Sequence, residues 1–207
     1  MYTPEHFRDA DEATAYTFMM AHPFGLAITN AAGHAFISHV PFLVDRVARR
    51  VRWHLAVANA QCEQLALAAP TTLVFHGPHA YVSPRWYAQP AVPTWNYVAV
   101  HVQGHLRCLS DIETARLVAD FSRAYEGESG LGEFEDSKIY HQLLSGIRGF
   151  ELTVETCLGK RKLSQNRSAA DQASVAAKLL QEPGEAAHEI GALMQSAGSA
   201  PAPSSEV

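Results

Sequence analysis

The alternation of hydrophobic and polar positions predicts mostly short strands with helices around them. Strands are predicted where apolar residues alternate with polar ones or where β-branched and aromatic residues concentrate, over 24–29, 35–40, 51–55, 71–76, 80–83, 94–106 and 150–158. Helices are predicted from a cap at Asp9 or Asp11 to about Ala21, and over 60–68, 111–125, 137–147 and 168–180. Asn30 to Gly33 permits positive φ between the first two strands, which is typical of a hairpin.

This order of elements predicts the fold class. Successive hairpins interrupted by one helix favour a β-barrel or sandwich with peripheral helices over a parallel α/β sheet. We therefore expect a mainly β fold of the α+β class. Neither GxGxxG nor GxxxxGK[ST] occurs in the chain, so nucleotide sites of those kinds are not expected.

The pattern also predicts the domain organisation. One domain is expected over residues 1–182, followed by an extension over 183–207. Within the extension, residues 185–195 have the pattern of one short amphipathic helix on Ile190, Leu193 and Met194. Residues 198–207 have too few apolar groups to offset the entropy of ordering, so we expect the extension to be largely disordered.

Charge and cysteine content narrow the class of protein. The net charge of -5 over 207 residues argues against a broad electrostatic footprint for nucleic acid. The three cysteines are widely spaced and include no CxxC pair, so neither a disulfide framework nor a cysteine zinc site is expected. With no leader-like start and no bilayer-length apolar run, a soluble cytoplasmic protein without membrane contact is expected.

The stretch from His76 to Leu106 is dense in groups that can stack, donate and accept hydrogen bonds. His101 and His105 lie in one predicted strand, where residues four apart are separated by about 13 Å, so a shared metal ion is not expected. His76 and His79 flank a Gly-Pro bend, and no neighbouring Asp, Glu or Cys completes a ligand set. We therefore predict no metal site.

The remaining chemistry points away from hydrolysis. No nucleophile elbow surrounds a serine or cysteine, and the acidic residues near position 135 are typical of a solvated connection. A binding site for a planar ring system that carries a phosphate would use the chain's aromatic rings, amides, histidines and separate basic groups. The same residues can instead fill the core and form turns, and composition alone favours that interpretation.

Two features raise the question of a phosphate contact directly. Arg46, Arg49, Arg50 and Arg52 form a basic cluster, for which a solvated loop tip is favoured over an anion contact. Asn59 is positioned to cap the start of the helix at about Ala60, where free amides and the helix dipole favour negative charge. Most helix starts of this kind bind nothing.

Five blocks of sequence carry a resemblance to a known family. They are ISHVPFLVD (Ile37–Asp45), HLAVANAQ (His54–Gln61), FHGPHAYVSPRWY (Phe75–Tyr87), VPTWNYVAVHVQGHL (Val92–Leu106) and GKRKLSQNRS (Gly159–Ser168). Together they closely resemble the PaiB-type FMN-binding negative transcriptional regulators, in the right order and over about residues 1–180. Five blocks in series are far more specific than any one motif.

The resemblance implies an antiparallel split β-barrel of the flavin-reductase and pyridoxamine-phosphate-oxidase kind, in a homodimer with FMN bound where the subunits meet. It makes His39, His54, Ala56 and Asn59 candidates for the FMN phosphate and ribityl region. It makes Trp95, Asn96, Lys162, Ser164, Gln165 and Asn166 candidates for the rest of the flavin site or the adjoining subunit contact.

The chain departs from the family pattern at two positions. Val57 stands where the family commonly has an arginine, and Ala60 where it commonly has a proline. Lys162 or an arginine of the 46–52 cluster is the candidate replacement for the lost cation.

Four functions follow from the resemblance. The leading hypothesis is an FMN-binding homodimer with a regulatory role, and the alternative is a flavin-dependent oxidoreductase using FMN and NAD(P)H. A direct DNA-binding repressor is a third hypothesis. No helix-turn-helix with a basic recognition helix is recognisable, because the predicted helix 168–180 has Lys178 as its only lysine or arginine. Haem binding is a fourth, because related split barrels can use such interfaces and the chain is rich in histidine.

Overall fold

Seven strands form the sheet of this protein, whose computed structural model describes residues 1–9 and 11–198. They are β1 Phe24–Ala31, β2 His34–Pro41, β3 Leu43–Asp45, β4 Arg50–Ala56, β5 Thr71–Val82, β6 Thr94–Cys108 and β7 Ile147–Lys162. Their order in the sheet is β2-β1-β5-β6-β7-β4-β3. The pairings of β1 with β2 and β5, and of β4 with β3 and β7, are antiparallel. The sheet is open, with β2 and β3 at its ends.

Six α-helices accompany the sheet in the described residues. They are α1 Glu12–Ala21, α2 Gln61–Ala66, α3 Asp111–Glu126, α4 Lys138–Leu144, α5 Ala169–Leu179 and α6 Glu185–Gly198. Short polar side chains start several of them by accepting a first-turn N–H, as Asp11 does for α1 and Ser168 for α5. In this part of the chain no helix is both long and apolar enough to cross a membrane.

The chain divides into two compact units. The first takes in residues 1–9, 76–99 and 159–198, and the second residues 11–75 and 100–158. Strands β5, β6 and β7 contribute residues to both units.

The core of the second unit is built on aromatic side chains that are fully buried. The ring of Phe42 lies 5.7 Å from Trp53 and 4.8 Å from Phe75. Trp53 in turn lies 5.8 Å from Phe150. These residues come from β4, β5, β7 and the link after β2, so burial of large rings joins those segments.

The core of the first unit joins the end of β5 to the last two helices. Val82 packs in one buried cluster with Leu179 of α5 and with Ile190 and Met194 of α6. The amphipathic helix expected on Ile190, Leu193 and Met194 is therefore α6. Residues 199–207, which carry most of the predicted disorder, lie outside the described residues.

The first hairpin was predicted correctly, and β5 was not. Ala32 and Gly33 have φ values of 49° and 79°, so the β1–β2 turn has the positive φ expected of a two-residue hairpin. By contrast, Gly77 and Pro78 do not divide 71–83 into two strands, because β5 runs through them. The buried positions shift from odd to even at this point, from Phe75 to Pro78, so the strand changes the side it buries without ending.

Strand β7 also differs from its prediction. It starts at Ile147 and ends at Lys162, whereas the pattern predicted a strand over 150–158. Lys160 is buried in this strand, and its ammonium donates to the carbonyl of Tyr2 at 3.0 Å and lies over the ring of Tyr97. Contacts that are remote in sequence thus hold this lysine in the strand.

Candidate functional site

A small cavity in the first unit gathers four of the predicted flavin-site residues. Its volume is about 120 Å³, and we call it the Lys162 cavity. Polar residues of the lining are Thr94, Asn96, Lys162, Ser164, Asn166 and Arg167. Apolar and aromatic residues of the lining are Phe7, Tyr87 and Val92.

The turn that follows β7 places Ser164 in a strained conformation. Ser164 has a φ of 64°, which costs energy for a residue with a Cβ. The side chain of Gln165 holds the turn, because its Oε1 accepts from the N–H of Leu163 at 2.7 Å and its Nε2 donates to the carbonyl of Arg161 at 2.6 Å. Gln165 therefore shapes this site by fixing the backbone.

Ser164 is joined to two other elements by hydrogen bonds. The Asn96 amide donates to Ser164 Oγ at 3.0 Å, and the Tyr87 hydroxyl lies 3.1 Å from the same oxygen. Asn96 and Ser164 are buried, so their polar atoms depend on each other for partners. This network fixes β6, the loop after β5 and the turn after β7 around the Lys162 cavity.

The loop after β5 is fastened to α5. The N–H of Ala88 donates to Asp171 Oδ1 at 2.8 Å, and the Ser174 hydroxyl donates to the carbonyl of Trp86 at 2.8 Å. The carboxylate of Asp171 thus accepts from this loop, while its N–H donates to the hydroxyl of Ser168. The loop that carries Tyr87 is therefore held in place.

Of the residues that the structure describes, two cations and no carboxylate line the Lys162 cavity. The Lys162 ammonium donates to Thr94 Oγ1 and to the carbonyl of Trp95, which leaves one N–H for another acceptor. The Arg167 guanidinium lies 4.7 Å from the centre of the Tyr87 ring. Within residues 1–9 and 11–198, neither cation forms an ion pair with a carboxylate.

The pKa of Lys162 reflects its burial and its positively charged neighbours. Burial, followed by repulsion from Lys160 and Arg167, lowers the pKa of Lys162. An ammonium beside a carboxylate would have its charged form favoured instead. The cavity is therefore a positively charged environment in which an anion would relieve repulsion.

The N-terminal segment forms one wall of the cavity through Phe7. It is fastened to β7 by an isolated bridge between Arg8 and Lys160 and by Arg161, whose Nε donates to Asp9 Oδ1 at 2.8 Å. Asp9 is almost completely buried. Phe7 itself is buried, so this wall is well packed.

Trp95 has a different environment from the other predicted residues of this unit. Its backbone carbonyl accepts from Lys162, but its side chain is 53% exposed. Its ring lies 5.9 Å from that of His79 and 6.1 Å from that of Tyr81. The three rings form an aromatic patch at the surface.

The second unit contains the other four predicted residues, and contacts link two of them. The amide of Asn59 donates to Ser38 Oγ at 3.0 Å, and its Oδ1 accepts from the N–H of Gln61 at 2.9 Å. The carbonyl of Ala56 accepts from the N–H of Asn59. His39 follows Ser38 in β2, is exposed and lies 6.4 Å from the ring of Phe24.

The start of α2, beside Asn59, is a weaker candidate for a phosphate contact than the sequence suggested. Helix α2 has only six residues and begins at Gln61, with Ala60 at the cap position and no side-chain cap from it. Gln61 is buried and donates to the carbonyl of Ala27 at 2.9 Å and to Thr29 Oγ1 at 3.0 Å. These bonds give the start of α2 a structural role in holding it against β1.

His54 lies in a separate environment from Asn59. Its ring contacts that of Phe121 on α3, at 5.4 Å and nearly perpendicular. Burial lowers the pKa of His54, and its Nδ1 is buried without a hydrogen-bond partner in the described part of the chain. A neutral imidazole packed on a helix is the result.

The basic cluster at 46–52 is largely neutralised by carboxylates. Arg49 pairs with Glu12, Arg50 with Glu151 at 3.3 Å, and Arg52 with Asp120 at 2.9 Å. These contacts favour a structural role over an anion contact, and they leave Lys162 as the stronger candidate to replace the cation missing at Val57. Within the described residues, no three His, Cys, Asp or Glu side chains come together as a metal-binding group.

Five residues that line the Lys162 cavity were not predicted from the sequence as site residues: Phe7, Tyr87, Val92, Thr94 and Arg167. Arg167 directly follows the predicted run Ser164 to Asn166, so a basic residue in that turn was the one available indication. Tyr87 is an aromatic residue in a loop, for which packing against the core is the common outcome.

The comparisons with known proteins define the family. A family model described as "Putative FMN-binding domain" matches residues 1–156. The chain is also 30% identical over 200 residues to protease synthase and sporulation protein PAI 2 of Bacillus subtilis strain 168, covering 94% of this chain and 97% of that protein. This chain therefore belongs to the FMN-binding family that includes PAI 2, as the sequence blocks predicted.

Solved structures confirm the fold class. The flavocytochrome Anf3 from Azotobacter vinelandii superposes with a TM-score of 0.58 at 17% identity, covering 75% of this chain and 69% of that one. The FAD and heme binding protein from Mycobacterium smegmatis gives a TM-score of 0.60 at 13% identity, with coverage of 82% and 79%. The open antiparallel sheet with peripheral helices is thus a split β-barrel of the flavin-binding type, as expected.

FMN is the cofactor to which the family assignment points, and the Lys162 cavity fits one part of it. Two cations without carboxylate partners and a set of amide and hydroxyl groups suit a phosphate. The volume of 120 Å³ is below the roughly 300 Å³ of small-molecule sites, so the cavity suits a portion of FMN.

Proposed function

We propose that this chain is an FMN-binding regulator of the PaiB type that acts as a homodimer, with the FMN phosphate held in the Lys162 cavity. The observation that carries the proposal is the pair of cations, Lys162 and Arg167, that line the Lys162 cavity without a carboxylate from the described residues to neutralise them. A phosphate is the anionic group of FMN, and charge-assisted hydrogen bonds to it are among the stronger polar contacts in proteins.

Each residue of the cavity has a distinct task in this proposal. Lys162 gives its remaining N–H to a phosphate oxygen, and Arg167, supported by the Tyr87 ring, gives a second cation. Asn166, which is exposed on the cavity wall, offers an amide donor. Asn96 and Ser164 hold the walls at their spacing through their mutual hydrogen bond.

FMN supplies reversible acceptance of electrons or hydride when it is bound. The chain's own residues bind its anionic end and orient it. Within the described residues, no carboxylic acid, histidine or cysteine lines the Lys162 cavity. The alternative function, an oxidoreductase using NAD(P)H, is separated from the regulator by the experiment below.

The homodimer is proposed because the Lys162 cavity has room for only part of FMN. A second copy of the chain would cover the remainder of the cofactor, and the exposed ring of Trp95 is a surface on which such contact can form. His39, exposed on β2, and Asn59 remain candidates for contacts to FMN in such an assembly. The three cysteines are free, which agrees with the proposed cytoplasmic setting.

The regulatory role is proposed from the resemblance of the five sequence blocks to the PaiB-type regulators, and the name of one relative, protease synthase and sporulation protein PAI 2, associates that relative with sporulation. We propose that regulation is indirect. Helix α3 carries more carboxylates than arginines, and Lys178 is the one lysine or arginine of α5. Neither helix therefore has the basic face that a helix reading DNA requires.

The flavin part of the proposal is tested with the purified full chain. FMN is titrated while its visible spectrum and fluorescence are recorded, and the mass of the complex is measured by light scattering. Binding at micromolar FMN with two chains in the complex supports the proposal, whereas no binding at that concentration contradicts it. NADPH oxidation faster than that given by the same amount of free FMN would instead favour the oxidoreductase.

The regulatory part is tested in the host cell. Transcripts are compared between the wild-type strain, a deletion strain and a strain that carries Lys162→Met. Shared derepression of the same transcripts in both mutants supports regulation through FMN, whereas unchanged transcripts in the deletion strain contradict it. A gel-shift assay at low and high salt distinguishes direct DNA binding, which would weaken steeply with salt.

A further inference from the structure

A second and larger cavity lies in the first unit, apart from the Lys162 cavity and with a different lining. Its volume is about 540 Å³, which is within the range of sites for small organic ligands. We call it the Trp86 cavity. None of the residues that line it also lines the Lys162 cavity.

The base of the Trp86 cavity is apolar and belongs to the packed core of the unit. Ala80 of β5 and Leu179 of α5 are buried there, and Ala187 of α6 packs against the same cluster. Small and aliphatic side chains give a surface on which an apolar group gains by losing contact with water.

Aromatic side chains form the wall. Trp86 is half-buried against the core cluster, and Tyr81 is 44% exposed. The backbone at Trp86 is fixed, because its carbonyl accepts from the hydroxyl of Ser174. A ring packed against the core and a second ring that is partly exposed, both lining the same cavity, suit stacking with an aromatic ligand.

Two opposite charges line the Trp86 cavity and are not paired with each other. Arg85 and Glu182 are both exposed, and in the described part of the chain neither forms an ion pair. Charged groups of opposite sign that face a common cavity without neutralising one another can bind the two charges of a zwitterion.

We propose that the Trp86 cavity binds a small aromatic zwitterion of the amino-acid class. The ring lies on the apolar base beside Trp86 and Tyr81, the carboxylate pairs with Arg85, and the ammonium pairs with Glu182. The arrangement assigns one part of the ligand to each part of the cavity. It does not depend on the binding of FMN.

The test uses four ligands that differ by one group each. L-phenylalanine carries all three groups, phenylpropionate lacks the ammonium, phenethylamine lacks the carboxylate, and L-alanine lacks the ring. Binding of each to the full-length protein is measured by titration calorimetry. L-phenylalanine is expected to bind most tightly, and L-alanine at least about tenfold more weakly, because it lacks the ring that buries apolar area.

Two charge-removing variants make the assignment specific. Arg85→Gln is expected to weaken L-phenylalanine and phenylpropionate by about tenfold and to leave phenethylamine unchanged. Glu182→Gln is expected to weaken L-phenylalanine and phenethylamine and to leave phenylpropionate unchanged. Both positions are exposed, so circular dichroism is expected to show intact folding.

The outcome is separable from that of the flavin proposal. Lys162→Met, which removes a cation of the other cavity, is expected to bind L-phenylalanine as the wild type does. Failure of the wild type to bind L-phenylalanine at about 1 mM overturns the proposal, and so does a loss in Arg85→Gln that is equal for all the ligands. Neither result bears on whether FMN binds.

Discussion

The amide nitrogen of Asn96 lies 3.0 Å from the hydroxyl oxygen of Ser164, and both side chains are buried. The two residues are far apart in sequence, one on β6 and the other in the turn that follows β7. Their hydrogen bond fixes the wall of the Lys162 cavity. The positions of the cavity's polar groups therefore depend on a buried polar contact, and such contacts are costly to break on one side only.

Removal of the Asn96 amide is predicted to destabilise the protein. Asn96→Ala leaves the Ser164 hydroxyl with fewer partners and opens a small void, so the free energy of unfolding should fall by about 1–3 kcal/mol. Urea denaturation measures the change. Asn30→Ala, at an exposed position on β1, is the matched control and should change the stability by less than about 0.5 kcal/mol. Equal effects of the two substitutions would show that the contact contributes nothing.

Ser164 allows the backbone strain of the turn to be measured separately from its hydrogen bonds. Both Ser164→Ala and Ser164→Gly remove the hydroxyl, but only glycine relieves the cost of a φ of 64°. We predict that Ser164→Gly is more stable than Ser164→Ala by about 1 kcal/mol in urea denaturation. A glycine variant that is no more stable than the alanine variant would mean that the turn is not strained.

The ion pair between Asp9 and Arg161 is predicted to hold the N-terminal wall of the cavity. Asp9 is almost completely buried, so Asp9→Asn removes the charge of a buried partner and should cost about 2 kcal/mol of stability. Limited proteolysis should then cut within residues 1–9 earlier than in the wild type. Asp136→Asn, at an exposed position, is the control and should be cut at the wild-type rate. Unchanged cleavage of Asp9→Asn would argue against this role.

His54 is predicted to make stability depend on pH. Burial lowers the pKa of His54 below its ordinary value of 6.5, so near that pH the unfolded chain binds more protons than the folded one. Stability should therefore fall as the pH drops through 6.5 and continue to fall until the folded-state pKa is reached. Burial also lowers the pKa of His101, so this residue should likewise reduce the stability as the pH drops.

The contribution of His54 is isolated by substitution. Urea denaturation of His54→Asn between pH 8 and pH 5 should show a smaller loss of stability on acidification than the wild type. His34→Asn, at an exposed position, should behave as the wild type does. If His54→Asn lost as much stability on acidification as the wild type does, this histidine would not be the group responsible.

The elements that local chemistry decides were predicted from the sequence. The positive-φ turn at Ala32 and Gly33 and the serine cap of α5 at Ser168 follow from residues that lie next to each other in the chain. The family resemblance, carried by five blocks, gave the fold class and FMN. Local propensity and the order of the five blocks along the chain were sufficient for these.

The features decided by distant contacts were not predicted. Lys160 sits inside β7 because the carbonyl of Tyr2 and the ring of Tyr97 receive its ammonium, and no local pattern encodes that contact. Arg49 likewise pairs with Glu12, 37 residues away. Which cations are neutralised and which remain available is a property of the folded structure, and this distinction separates Lys162 and Arg167 from the 46–52 cluster.

The ratio of the dissociation constants of riboflavin and FMN tests the central claim most directly, because the two ligands differ by the phosphate. The wild type should bind FMN more tightly than riboflavin. Lys162→Met and Arg167→Met should each reduce that preference by about tenfold or more, with riboflavin affinity little changed. Lys178→Met, at an exposed position on α5, should retain the wild-type ratio. An unchanged ratio in Lys162→Met and Arg167→Met would contradict phosphate binding in the Lys162 cavity.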